Sequence, residues 1–227
     1  MNILDARILL KRSTTAGVVP TIPASSSHTD GSWVNTDIYS GEAFLNTVDQ
    51  RIFVRTGANI KEIQFQNYWV GQSFGGGVIF HTYRDSNNVE HGLIVSTTDQ
   101  STSSAYSNID TNGAFAASRW NGQANTNALK AQTGATSGAW KVCDDYSSGG
   151  FSDWYLPSIS ELQLLWNNRY NVYKNWNNIS QDLFIDNYWS STEYDDDMAS
   201  SFNFGSGLID VNTLKNTNLY VRAIRQF

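Results

Sequence analysis

A chain of 227 residues with 40% hydrophobic content can bury a core in one large domain, or in one ordinary domain with a smaller companion. Its 21 acids outnumber 15 Lys/Arg, and the net charge of −6 excludes a nucleic-acid footprint and counts against phosphate- or sulfate-rich polymers as ligands unless a cation bridges. Aromatics reach 13% while charged residues are only 16%, so much of the surface is Asn, Ser, Thr, Gly and Gln, a neutral polar surface that suits contact with sugars and equally suits a merely soluble β-rich fold.

Charge is uneven along the chain. Residues 1–66 hold six Lys/Arg against six acids and residues 67–227 nine against fifteen, so the whole net charge lies in the second part. Cys143 is the single cysteine, which rules out an intramolecular disulfide and fits folding in a reducing cytoplasm. The opening MNILDARILLKR lacks the order of a secretory signal, and no apolar run approaches bilayer length, so neither a cleaved leader nor membrane insertion is expected.

In chain order, RILLKRS (Arg7–Ser13) reads as extended and is followed by the Pro/Ser/Thr loop VVPTIPASSSHTDGS. Three β-rich runs then come at Glu42–Asn46, Arg51–Arg55 and Ile60–Phe65, parted by turn signals at residues 47–50 and 56–59, as in a short meander. So few large apolar groups make a poor independent core, and self-association is the simplest remedy. The strings LLKRSTTAGVVPT and GEAFLNTVDQRIFVR resemble a segment near the N-termini of phage tail-fibre and receptor-binding proteins, covering most of residues 7–65. That resemblance implies a homotrimer whose residues 1–66 anchor it to other virion proteins.

From Tyr68 the character changes. Gly77–Tyr83 and Gly92–Ser96, with a turn at Asp85–Asn88, read as a hairpin, and Gly75–Gly77 lacks the following Gly-Lys-Ser/Thr of a phosphate loop. GQANTNALKAQT (residues 122–133) predicts a modest helix. A second helix is clearer, since Ser158 and Glu161 form an S-x-x-E capping box ahead of Ile159, Leu162, Leu165 and Trp166 at helical spacing.

The strings DWYLPSISEL, NYWSSTE and LYVRAIRQF, with HGLIVSTTDQS and GQANTNAL upstream, resemble the bacterial domain family DUF1566, or Lcl C-terminal domain, over residues 67–227. The resemblance implies an α+β, C-type-lectin-like domain, two helices around a small irregular antiparallel sheet, preceded by the small β-rich trimerisation or anchoring region of residues 1–66. It implies binding rather than catalysis. The motif residues Trp154, Leu156, Pro157, Glu161, Trp189, Ser190, Ser191, Thr192, Arg222 and Arg225 read as architecture, with an arginine near Glu193 or Glu161 as an ion-pair partner.

Asp195, Asp196 and Asp197 follow the YWSSTE string where the family has a variable loop. Contiguous acids cannot all face one ion without a contorted backbone, whereas calcium loops use alternate positions, so the segment reads as a solvated binding loop; calcium is conceivable and not favoured, and no cofactor is expected. Tyr194, Asp195, Asp196, Asp197, Asn203, Asn212, Lys215 and Asn216 are the candidate ligand contacts. The dispersed His28, His81 and His91 make no zinc pattern, Cys143 has no nucleophile signature, and no spacing singles out an acid pair such as Asp144 with Glu193 for glycoside hydrolysis. The expectation is a non-enzymatic phage virion appendage, a tail or head fibre on the virion surface, that binds a host cell-surface glycan or protein. A capsid decoration knob without a receptor, a bacterial surface adhesin and a glycan-degrading enzyme are its rivals.

Overall fold

The computed structural model describes residues 11–23, 34–48, 51–63, 67–174 and 186–227. The chain divides into two compact units, Met1–Gln66 and Asn67–Phe227. The Ser-rich stretch at residues 24–33, His28 with it, and the Asn-rich connection at residues 175–185 lie outside the described residues.

The first unit is one sheet of β1 (Lys11–Ser13), β2 (Ala43–Asn46), β3 (Arg51–Thr56) and β4 (Asn59–Ile63), in that spatial order. β1 runs parallel to β2, and β2 to β4 form an antiparallel meander whose last turn uses Gly57 at φ +62. Phe44 and Phe53 face each other across β2 and β3 with ring centroids 6.4 Å apart, and with Ile38 they form the buried core, flanked by Val18 and Ile60. Polar clamps supplement it. Asn46 donates to the Thr15 and Val18 carbonyls, Asp37 accepts from Thr21 Oγ1 at 2.6 Å and Val34 N–H at 2.9 Å, and Arg51 grips Glu62 through two bonds of 2.9 and 2.7 Å.

The described residues of the second unit hold two sheets. One has the order β13 (Ile224–Gln226), β7 (Glu90–Ser96), β6 (Gly77–Arg84), β5 (Ser73–Phe74); the other runs β11 (Leu208–Leu214), β10 (Met198–Asn203), β9 (Asn187–Glu193), β12 (Leu219–Val221), β8 (Ser101–Ser104). The β6–β7 hairpin turns at Asp85–Asn88, where Asp85 Oδ1 accepts the N–H groups of Asn87 and Val89 and Asn88 sits at φ +64. Both faces of the hairpin are covered: Val78, Phe80, Leu93 and Val95 join one core cluster, and Ile79 and Ile94 the other. That is why its sequence is a run of apolar residues rather than a clean alternation.

Among its described residues the unit also has three helices: α1 (Gly122–Ala131), α2 (Ala139–Asp144) and α3 (Ile159–Lys174). α3 packs Ile159, Leu162, Leu165 and Val172 onto β6, β9 and β10. Trp166 lies at the edge of this face, donates Nε1–H to the Phe204 carbonyl at 3.0 Å, and covers Gly207 so closely that a Cβ there would meet its ring at 2.5 Å. No helix among the described residues is long and apolar enough to cross a membrane.

The expected α+β, C-type-lectin-like arrangement of two helices around one small sheet is overturned. Among the described residues, thirteen strands in three sheets, against three short helices making up 17% of them, make the fold β-rich. The two predicted helices form, and so do the predicted meander (β2–β4) and the β6–β7 hairpin, but β8 and β10 escaped sequence reading for a physical reason. β8 is STSS and β10 is MASSFN, so their pairing rests on small residues that admit close neighbours rather than on apolar runs. α2, six residues long, is too short for helical periodicity to register.

Candidate functional site

The strand-to-helix junction at Asp153–Glu161 is built from groups that satisfy one another. Ser158 N–H donates to Glu161 Oε2 at 2.7 Å while Glu161 N–H reaches back to Ser158 Oγ at 3.4 Å, a reciprocal capping box. Glu161 Oε2 also accepts the N–H of Gly122 at 3.1 Å, and Oε1 accepts Tyr155 Oη–H at 3.0 Å, so one carboxylate joins the start of α3 to the start of α1. A Cβ on Gly122 would lie 2.5 Å from that carboxylate and 2.6 Å from the Leu156 carbonyl, which is why the first residue of α1 is glycine. Burial pushes the Glu161 carboxyl above the usual carboxylate range, and these hydrogen bonds only partly offset it. Trp154 and Leu156 are buried, Trp154 edge-on to Tyr146 at 5.1 Å, and the Pro157 carbonyl accepts Ser191 N–H at 2.7 Å.

The YWSSTE strand is equally committed to structure. Trp189 Nε1–H donates to the Ser104 carbonyl at 2.9 Å, Ser190 Oγ–H to the Ser200 carbonyl at 2.7 Å, and Thr192 Oγ1–H to the Ser118 carbonyl at 2.9 Å. Ser191 Oγ accepts from Asn125 Nδ2 at 3.2 Å. The arginines of the terminal string pair elsewhere than with Glu193 or Glu161. Arg222 lies 2.6 Å from Asp99, and Arg225 forks onto Asp153 at 2.7 and 2.8 Å with its guanidinium over the Phe151 ring. The Arg225 hydrogen bond holds the Asp153 carboxyl below its usual range, whereas burial lifts Asp99 despite Arg222. The Ser191 N–H bond to the Pro157 carbonyl, the Ile159 N–H bond to Thr192 Oγ1 at 3.1 Å and the Arg225–Asp153 fork tie DWYLPSISEL to YWSSTE and to YVRAIR.

Residues 115–225 match the family model of the Lcl C-terminal domain. No curated protein matches the sequence. Among solved structures, the chain is similar to a fimbrial protein from Bacteroides ovatus at 12% identity and a TM-score of 0.49, covering 95% of this chain and 68% of that one, a likeness too distant to bear on fold or function.

Within the Lcl C-terminal match, the candidate ligand residues separate. Tyr194–Asp197 form the tight turn between β9 and β10, closed by Tyr194 N–H and Asp195 N–H donating to the Met198 carbonyl. The three carboxylates do not converge. Asp195 Oδ1 accepts the N–H groups of Asp197 and Met198 at 3.2 and 2.8 Å, and Asp196 Oδ1 accepts Gly113 N–H at 3.1 Å. Among the described residues no group of three His, Cys, Asp or Glu is placed to hold a metal ion.

Lys215, expected as a ligand contact, is instead buried, with only 1% of its surface exposed. Its ammonium group bonds Glu193 Oε1 at 2.9 Å, the Asp196 carbonyl at 2.7 Å and the Asn112 carbonyl at 3.4 Å, which uses all three of its donors. Asn216 is exposed just beyond it. Asn203 lies at the far end of β10, about 16 Å away by the strand rise, where it bonds Asn187 and Ser206 to close the next turn. Asn212 is exposed on the edge strand β11. The loop end of the β9–β10 hairpin therefore gathers Tyr194, Asp195, Asp196, Asp197 and Asn216, and leaves Asn203 out.

Two exposed aromatics near this end escaped sequence reading. Phe115 is 95% exposed and Trp120 78%, and Tyr194 is 61% exposed. Phe115 also sits at φ +60, a left-handed conformation that costs a non-glycine residue on the order of 1–3 kcal/mol. Glu193 dictates it. Ala114 N–H donates to both Glu193 oxygens at 3.0 and 2.8 Å, Ala116 N–H donates to Oε2 at 3.0 Å, and Glu193 N–H returns to the Ala116 carbonyl at 2.9 Å. With both alanines buried, the residue between them must face outward. The available signal was GAFAASRW, large aromatics set among small residues that offer them nothing to pack against.

Elsewhere in the unit, Thr98, Asp99, Gln100, Val142, Asp145 and Tyr146 line a cleft of about 490 Å³. Cys143 is buried on α2, where desolvation pushes its thiol up, as an inert packed cysteine requires. Asp144 faces Lys130 at 2.8 Å, and the Glu193 oxygens are occupied as described.

Proposed function

We propose that the protein is a virion appendage protein whose residues 67–227 attach to a host cell-surface glycan or protein and whose residues 1–66 hold the copies together and to the particle. The observation that carries this reading is the β9–β10 turn: Tyr194 and three acidic residues stand exposed on a base sealed by the buried Glu193–Lys215 pair. A loop on a base that cannot shift is where recognition is built on a rigid scaffold. Because the recurring motif residues are spent inside the framework, binding falls to the loops. The neutral polar surface and acidic balance favour uncharged partners.

Residues 1–66 support the anchoring part. Their described core is Ile38, Phe44 and Phe53, while Val19, Ile22, Val34, Tyr39, Val48 and Ile63 remain exposed, and a homotrimer would cover such side chains. The resemblance of residues 7–65 to phage fibre N-termini points the same way. Binding of labelled full-length protein to a panel of intact bacterial cells tests the proposal. Saturable retention on one or more strains supports it; a folded protein that binds none fits a decoration knob, and release of reducing ends from host polysaccharide would make it an enzyme instead.

A further inference from the structure

Resting on the attachment reading of residues 67–227, we infer that Phe115 is a ligand-contact residue that stacks on the apolar face of a neutral hexopyranose unit in a cell-surface glycan. Two unfavourable features coincide at this residue. A large aromatic ring is left almost wholly in water, and its backbone is held in a conformation that suits glycine. The ring contributes nothing to the fold, and the backbone conformation serves only the Glu193 turn, which glycine would adopt without strain. The turn would close as well with Gly at 115, since all the bonds that shape it come from the backbone of Ala114 and Ala116 and from Glu193. A large exposed ring kept at a strained position where glycine would do points to a role outside the fold.

The chemistry around the ring selects the ligand. Gly113, two residues before it, donates to Asp196, whose neighbours Asp195 and Asp197 are exposed in the same turn. Carboxylates accept hydrogen bonds from sugar hydroxyls and repel sulfate, phosphate and uronate groups. An aromatic face supplies the apolar contact that a pyranose ring offers on one side, and Trp120 and Tyr194 are exposed as well. An exposed flat ring, two residues from a backbone bond to an acidic turn, is a stacking platform for an uncharged sugar.

The experiment displays neutral hexose and N-acetylhexosamine oligosaccharides on an array, next to sulfated and uronate-containing ones. Full-length wild type, Phe115→Ala, Phe115→Gly and Phe115→Trp are applied, with Tm measured for each. The inference predicts that wild type binds neutral glycans, that Phe115→Ala and Phe115→Gly lose at least about tenfold in apparent affinity, and that Phe115→Trp keeps binding. It also predicts that Phe115→Gly melts at the same temperature as wild type or higher, because the left-handed strain is relieved. Unchanged glycan binding by Phe115→Ala, or a fall in Tm that tracks the loss of binding, overturns the role of Phe115 and leaves the attachment reading standing. Binding only to charged glycans, or to none while whole cells are still bound, overturns the ligand class. Failure to bind cells and glycans alike removes the attachment reading itself.

Discussion

Lys215 Nζ lies 2.9 Å from Glu193 Oε1, with the lysine side chain wholly buried and the glutamate nearly so. The pair joins the last residue of β9 to the residue just after β11 and holds the intervening turn from beneath, through the Asp196 carbonyl and the Lys215 N–H bond to the Asp197 carbonyl. Replacing Lys215 by Met leaves Glu193 buried beside an apolar chain. Denaturant unfolding should show a loss of about 3–5 kcal/mol, and the Glu193→Gln/Lys215→Met double variant should recover part of it. Equal stability of Lys215→Met and wild type would mean that the turn does not depend on the pair.

Glu161 carries a pH signature. Its folded-state carboxyl is raised by burial, so the folded protein binds that proton more tightly than the unfolded chain. The stability it contributes is complete below about pH 4.3, the ordinary glutamate value, and is lost as pH rises through the higher folded value. Glu161→Gln can keep the contacts, with its oxygen accepting from Ser158 and Gly122 and its amide donating to Tyr155. The variant should therefore gain stability relative to wild type between pH 4 and pH 7, read as a difference in Tm across that range. A difference that is flat with pH, or of opposite slope, would contradict the raised carboxyl.

The aspartate turn separates geometry from charge. Asp195 and Asp196 each use an oxygen to accept backbone N–H groups, and an asparagine oxygen does the same. Asn at positions 195, 196 and 197 together should leave Tm within a degree or two, whereas Ala at 195 and 196 should cost about 0.5–2 kcal/mol by releasing those donors. Calcium that raises the melting temperature of wild type and not of the Asn variant would restore the cation-site reading.

Assembly should govern avidity. Residues 67–227 hold two core clusters and every framework motif, so a fragment of that span should fold alone. The full chain should scatter light as a trimer at micromolar concentration, and its apparent affinity for cells should exceed the fragment's by about 10²-fold or more if several sites engage one surface. A monomeric full chain, or equal binding by the two, would remove residues 1–66 from that role.

Local signals were legible where they were complete within a few residues. The capping box at Ser158 and Glu161 and the stripe Ile159, Leu162, Leu165 announced α3, and the Asp85–Asn88 turn announced the β6–β7 hairpin. What decides the candidate site is not local. Glu193 and Lys215 are 22 residues apart and meet only because β10 and β11 return the chain to its starting end. Arg222 and Arg225, two nearby cations on one terminal segment, were assigned to the wrong acids because strand register, which the sequence does not state, settles which carboxylate each one faces. The outward placement of Phe115 depends on a carboxylate 78 residues further along the chain, and the sheets depend on Ser-rich strands whose partners supply what their own side chains lack.

The central claim, attachment through the loop end of the β9–β10 hairpin, is tested most directly by the cell binding of Tyr194→Ala in the full-length protein. Tyr194 is 61% exposed and its backbone bonds to Met198 do not involve the ring, so the variant should fold with unchanged Tm. The account predicts saturable binding of wild type to intact cells and at least a tenfold loss for Tyr194→Ala at equal Tm. Undiminished binding by the variant would contradict it.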